Sequence, residues 1–196
     1  MLTRLGTAFT KIVAVEPSPS ALQVLKKRVG GRRVRILEGK AEAIPLPSKS
    51  VDIAFAKSSF HHFGNTKAGL GEMRRIAKKA IVVVEVIAPS TAALKFAQEI
   101  LPQKEPGRTR EAVFSEADLK SRVEQVAADV RCLHFDQYID VKAWLTHSDL
   151  DKDSRLKIYR YIAGQSGAVK EAMQIHFQKN RLMMLRRMAL VIGLLA

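Results

Sequence analysis

Lys11-Ile12-Val13-Ala14-Val15-Glu16-Pro17-Ser18-Pro19-Ser20 decides how this 196-residue chain is read. Four apolar residues after Lys11 lead to a carboxylate, and a helix start follows at once. Ser18 is placed to cap a helix whose first residue is Pro19, where the missing N–H costs nothing and the ring presets the backbone. A buried strand feeding a helix is the opening of a parallel α/β unit. In open sheets of that kind ligands sit beyond the carboxyl ends of the strands, and an acid at the tip of the second strand commonly takes ribose hydroxyls. Glu16 stands at such a tip; the alternative is a solvated strand end.

Outward from this stretch the alternation continues. Leu22, Leu25 and Val29 form the inner stripe of the first helix, closed by Gly30-Gly31, and residues 34–37 are the next strand. Residues 39–47, Gly-Lys-Ala-Glu-Ala-Ile-Pro-Leu-Pro, form a loop, since Pro45 and Pro47 preclude a regular helix. Residues 50–56 are a strand that empties into Lys57-Ser58-Ser59-Phe60-His61-His62-Phe63, a stretch dense in groups able to bind or exchange protons. Residues 66–79 have amphipathic helical spacing, with Leu70, Met73 and Ile76 or Ala77 inward and Arg74, Arg75 and Lys78 outward. Ile81-Val82-Val83-Val84-Glu85-Val86 reads as a strand covered on both faces.

Beyond Pro89 the pattern predicts helices at 91–100, from Ser115 to about 127, at 141–145 and at 153–162. Residues 101–110 are expected as a loop, 130–138 as a late strand and 182–195 as the last strand. Ser115-Glu116-Ala117-Asp118 resembles a capping box with Asp in place of Glu. Residues 2–9 have the spacing of a helix tail. Strand, helix, strand, loop, strand, helix, strand implies a parallel sheet wound by right-handed crossovers.

Composition narrows the class. The chain suits one domain over residues 1–196, with 47% hydrophobic and 27% charged residues, which is a globular balance. Cys132, the single cysteine, excludes an intrachain disulfide framework and a cysteine-cluster zinc site, and no metal site is expected. A reducing cytoplasm fits that usage. The terminal run from Met188 is far short of the roughly 20 apolar residues of a membrane span. A net charge of +14 would suit nucleic acid or an acidic membrane surface, with Lys26-Lys27-Arg28 and Arg32-Arg33-Arg35 the best case. The basic residues are otherwise dispersed, as on a solvated surface.

With these residues in view, the chain resembles the class I S-adenosylmethionine-dependent methyltransferases, in the small-molecule branch that includes ubiquinone and menaquinone C-methyltransferases. The resemblance rests on residues 13–20, on the 39–47 loop, on 50–63 and on Phe114-Ser115-Glu116-Ala117-Asp118-Leu119, in that order over about residues 1–135. It implies a Rossmann-like, mostly parallel sheet with helices on both faces and an antiparallel last strand. It also implies S-adenosylmethionine as cofactor and methyl transfer to a small-molecule acceptor. Glu16 would hold the ribose hydroxyls, Pro17 and Ser18 would flank the adenosine, and Ala41 would offer its N–H to adenine with Glu42 beside it. Lys57 through Phe63 would line the methionine end, with His61 or His62 as base where the acceptor must lose a proton.

Two departures accompany the resemblance. Lys40 stands where the family commonly has an Asp that accepts from adenine, and Lys cannot accept. The family's first strand and G-x-G-x-G loop are also absent from the 196 residues, so that the fold reads as N-terminally incomplete. A start misplaced within a longer reading frame is the expected cause. A truncated relic, a sheet closed by sliding, or a partner chain are the alternatives, the last implying an oligomer. For these residues alone, binding of S-adenosylmethionine weaker than millimolar, or absent, is expected. An RNA methyltransferase and a catalytically inactive methyltransferase-like protein remain the alternative functions.

Overall fold

β-branched residues at alternate positions favour an extended chain, and the first two strands form where they cluster. β1 (Ile12–Glu16) pairs in parallel with β2 (Val34–Glu38), Ile12 opposite Val34 and Glu16 opposite Glu38. α1 (Pro19–Val29) makes the crossover, with Leu22 buried beneath it. The computed structural model describes residues 9–29, 33–105, 108 and 112–196. The helix tail expected at 2–9 falls almost wholly outside them.

A second sheet has the order β3-β4-β7-β5, with the short β6 also on β7. β3 (Val51–Lys57) runs parallel to β4 (Ala77–Ile87), and α2 (Thr66–Ile76) connects them. β7 (Arg181–Leu194) lies antiparallel between β4 and β5 (Asp129–Asp140), so β3, β4 and β5 share one direction and the last strand opposes them. This is the expected Rossmann-like arrangement with its antiparallel last strand. Among the described residues β1 pairs only with β2, and β3 only with β4. β6 (His176–Gln178) turns into β7 through Lys179 and Asn180, both at positive φ (46° and 61°), as a tight two-residue hairpin requires.

Two apolar clusters flank the second sheet. On one side Leu70, Met73 and Ile76 of α2 and Leu119 and Val123 of α4 (Glu116–Glu124) meet Ile81, Val83, Ala189 and Val191. The other joins α3 (Thr91–Lys104), α5 (Val141–Thr146) and α6 (Lys152–Ala163) to Leu182 and Met184 of β7. Because strand side chains alternate, the even positions 182 and 184 and the odd positions 189 and 191 face opposite sides of β7. Gly193 permits the close approach of α4: a Cβ there would stand 2.7 Å from Ala127 Cβ and 2.8 Å from Val123 Cγ1.

Two boundaries depart from the sequence reading, and two short elements escape it. The helix expected over 66–79 stops at Ile76, and Ala77, fully buried and paired with Val51, begins β4. Pairing with β3 overrides the helical spacing of the lysines at 78 and 79. α3 runs through Pro102 to Lys104, where a loop from Leu101 was expected. Pro102 deprives the Gln98 carbonyl of its helical donor, and the burial of Ile100 and Lys104 offsets that loss. α7 (Gly167–Ala172) and β6 are short elements that the sequence pattern did not reveal.

Candidate active site

The carboxyl ends of β1 and β2 carry the first group of candidate residues. Glu16 Oε1 accepts the N–H of Ser18 at 2.9 Å, and its other oxygen has no partner among the described residues. Ser18 Oγ in turn accepts from Ala21 N at 3.4 Å, so the helix start holds the carboxylate at the strand tip; Pro17 is exposed. Gly39 N–H donates to the Glu16 carbonyl at 3.3 Å, and a Cβ on Gly39 would lie 2.6 Å from Pro45 Cδ. Only glycine lets the 39–47 loop fold this closely over β1.

The loop is braced from α2. Arg75 donates to the carbonyls of Leu46 at 2.8 Å and Ile44 at 2.9 Å, and Glu72 accepts the Ile44 N–H at 2.8 Å while bonding Arg75. The Arg75 hydrogen bonds hold the Glu72 carboxyl below its ordinary range. Arg75, expected to face solvent, is therefore the loop's brace. Lys40 and Ala43 close a turn, with Ala43 N–H donating to the Lys40 carbonyl at 3.1 Å, and the Ala41 N–H at its tip meets no acceptor among the described residues. Glu42 supports the loop from the other side, where its Oε1 accepts the N–H of Asn65 at 3.0 Å and fastens the loop to the start of α2.

The second group gathers where β3 and β4 end. Lys57 closes β3 as an exposed side chain with no ion pair among the described residues, so no contact ties it to the cavity. Ser58 turns the chain at positive φ (49°), and Phe60–His62 follow as one turn of 3-10 helix anchored by the fully buried Phe60. That turn lays His61 against Glu85 of β4: Nδ1 lies 2.8 Å from Glu85 Oε2. The His61 side chain is 8% exposed and Glu85 is fully buried. Glu85 Oε1 accepts the Val86 N–H at 2.8 Å, and Oε2 also accepts the His61 N–H at 3.4 Å. Both carboxylate oxygens therefore act as acceptors. Nδ1 thus donates to Glu85, and in the neutral imidazole Nε2 holds the lone pair.

Glu105 Oε2 stands 3.9 Å from His61 Nε2. It is held by Lys104 Nζ and Arg108 Nη1, both at 2.9 Å. Burial by itself would raise the Glu105 carboxyl; the hydrogen bonds and charges of Lys104 and Arg108 outweigh it and bring it from 4.5 to about 2. His62 is more exposed, with its ring centroid 4.0 Å from that of His61. Burial, then the neighbouring His61, lowers the His62 pKa against the opposing pull of Glu105 and Glu85.

These groups border a cavity of about 230 Å³. Ser58, His61, His62 and Glu85 form one wall, Ala93, Phe96 and Ile100 of α3 another, and Met184 to Arg187 of β7 a third. Trp144 and Ile139 contribute further apolar surface. The cavity thus opens at the carboxyl end of β4, where parallel α/β sheets bind ligands. Elsewhere, ligand atoms of Glu116, Cys132 and His134 lie within 4.8 Å of one another on an exposed face, where Glu116 Oε2 and His134 Nε2 are already 2.8 Å apart. The sequence reading did not single out Glu85, Glu105, Arg108 or Arg186; the carboxylate inside an otherwise apolar run at Glu85 was the one available signal.

No helix among the described residues is long and apolar enough to cross a membrane. Among curated proteins, the uncharacterized methyltransferase YcgJ of Bacillus subtilis (strain 168) is 24% identical over 155 residues, 77% of this chain and 60% of that protein. The uncharacterized protein YafE of Escherichia coli (strain K12) is 29% identical over 83 residues, 40% of each chain. This chain therefore spans about 60% and 40% of the lengths of these two relatives. The crystal structure of Bacillus subtilis YcgJ superposes with a TM-score of 0.83 at 18% identity, covering 95% of this chain and 82% of that one. BH2331 of Bacillus halodurans C-125 gives 0.79 at 18% identity, covering 94% and 82%. Residues 1–84 match the family described as methyltransferase domain, and the described residues have the fold of YcgJ and BH2331.

Proposed function

We propose that this chain transfers a methyl group from S-adenosylmethionine to a small-molecule acceptor held in the cavity beside His61. The observation that carries the reading is the His61–Glu85 pair, 2.8 Å apart, set into the wall of a largely apolar cavity at the carboxyl end of the sheet. The Glu16 oxygen and the Ala41 N–H that have no partner among the described residues fit the ribose hydroxyls and an adenine nitrogen of the cofactor. Lys40 offers adenine no acceptor. When bound, the cofactor would supply an electrophilic methyl on a sulfonium, open to in-line attack at carbon with the neutral thioether as leaving group.

What the chain adds is position and proton management. Glu85 fixes the imidazole rotation and tautomer, so that Nε2, 3.9 Å from Glu105 Oε2, is the nitrogen left to act as base. A hydroxyl or other acidic group on the acceptor gives its proton to Nε2, and Glu85 and Glu105 stabilise the resulting imidazolium. His62, with its lowered pKa, stays neutral beside it. Phe96, Ile100 and Ile139 keep water from the reacting groups.

Saturation-transfer NMR with S-adenosylmethionine at several millimolar tests the cofactor half of this reading. The expected result is transfer to adenine and ribose protons that is lost in Glu16→Gln. No transfer with the unaltered chain would overturn it.

A further inference from the structure

One cation of the cavity wall, Arg186, has no carboxylate partner among the described residues. Arg108 lines the cavity bonded to Glu105, which Lys104 also holds from outside the lining, and Arg187 is matched by Asp136 at 2.8 Å. Glu105 is shared by Lys104 and Arg108, and Glu85 is occupied by His61 and two backbone N–H groups. Arg186 is left with a neutral partner, Gln137 Oε1 at 3.1 Å. Its Nε is closed off from solvent and has no acceptor among the described residues, and the same is true of Arg108 Nε, in a side chain only 4% exposed. Arg108 has Glu105 as its counter-charge, whereas the half-buried Arg186 has none among the described residues, and planar carboxylates satisfy guanidinium groups with paired hydrogen bonds.

We infer that the cavity takes its acceptor as an anion: a planar, mostly apolar molecule of one or two rings bearing a carboxylate or a comparably acidic oxygen, which Arg186 and Arg108 hold while the atom to be methylated lies near His61. The inference rests on the methyl-transfer reading for the word acceptor, but not for the site itself. The size is consistent, since a dry apolar cavity of about 150 Å³ admits benzene and this one has about 230 Å³. Phe96, Ile100, Ile139 and Trp144 supply the apolar walls such a ring would meet. Arg186 lies on β7, beside Leu185 and Arg187 of the same wall, so the anion would enter against the sheet and leave the ring toward α3.

Trp144, the single tryptophan of the chain, lines the cavity and reports occupancy by its fluorescence. The test titrates the protein, without cofactor, with cinnamate and with its neutral isostere cinnamamide, and repeats both on Arg186→Gln, Arg186→Lys and Arg108→Gln. The expected result is cinnamate bound about tenfold more tightly than cinnamamide, a preference abolished in Arg186→Gln and partly kept in Arg186→Lys. Equal binding of the two by the unaltered protein, no Trp144 response to either, or a preference untouched by both glutamine variants would overturn the inference. The unaltered protein's preference is readable even if a variant does not fold. An intact cinnamate preference with no methyl transfer to any acceptor would overturn the methyl-transfer reading alone. Methyl transfer without that preference would overturn the anion site alone.

Discussion

Glu105→Gln removes one charge from a half-buried cluster while keeping the outline of the side chain. In the native protein Lys104 Nζ and Arg108 Nη1 each donate to Glu105 at 2.9 Å, and the carboxyl sits at about 2 instead of 4.5. Unscreened, that displacement would amount to roughly 3 kcal/mol at neutral pH; with the cluster partly open to solvent, about 1–2 kcal/mol is expected. The sign follows from proton binding. Between the two values the unfolded chain binds more protons than the folded one, so the stabilisation is complete above about pH 4.5 and is lost as pH falls toward 2. Urea denaturation followed by circular dichroism, at pH 7 and in steps down to pH 2.5, measures it. Glu105→Gln is expected to be less stable than the native chain by about 1–2 kcal/mol at pH 7, near 5 °C in Tm for a chain of this size. The gap should close across the acid window. A gap under about 0.5 kcal/mol at pH 7, or one that does not change with pH, would refute the charge account.

Gly193→Val presses a branched side chain against Ala127, Val123 and Ile81, so a loss of about 1–3 kcal/mol is expected in the same assay, with native-like stability as the contrary result. Ser115→Ala deletes the capping box in which Ser115 Oγ accepts from Asp118 N at 3.1 Å, and about 1 kcal/mol should be lost. Glu85→Gln is expected to shift the His61 tautomer, visible in its ring nitrogen NMR shifts, because Nδ1 loses a carboxylate acceptor. An unchanged Nδ1–H signal would remove Glu85 from its positioning role.

The strands at 12–16, 51–57 and the apolar part of β4 were legible because β-branched runs bounded by turn residues fit little else. Ala77 to Lys79 were not, because their spacing continues a helix and only pairing with β3, settled by residues some 25 positions away, draws them into β4. The last strand was legible as an apolar run and its antiparallel direction came from the family resemblance, whereas its place between β4 and β5 emerged only from the structure. In the site, Glu16 and His61 could be picked out by residue type at strand ends. Glu85 was hidden inside an apolar strand, and its role depends on which way one side chain of a parity-alternating strand faces. Arg108 and Arg186 reach the cavity from positions about 25 and 100 residues from Glu85 in the chain. Local pattern carries no trace of that meeting. Arg75 illustrates the same limit: helical spacing placed it outward, and a loop folded across α2 gave it partners.

The most direct measurement follows a trideuteromethyl group from S-adenosylmethionine, supplied at several millimolar, into a cell extract divided into small-molecule and RNA fractions. The account predicts label in a small, acidic, mostly apolar product, with transfer sharply reduced in His61→Asn. Label confined to the RNA, or in neither fraction, would contradict it.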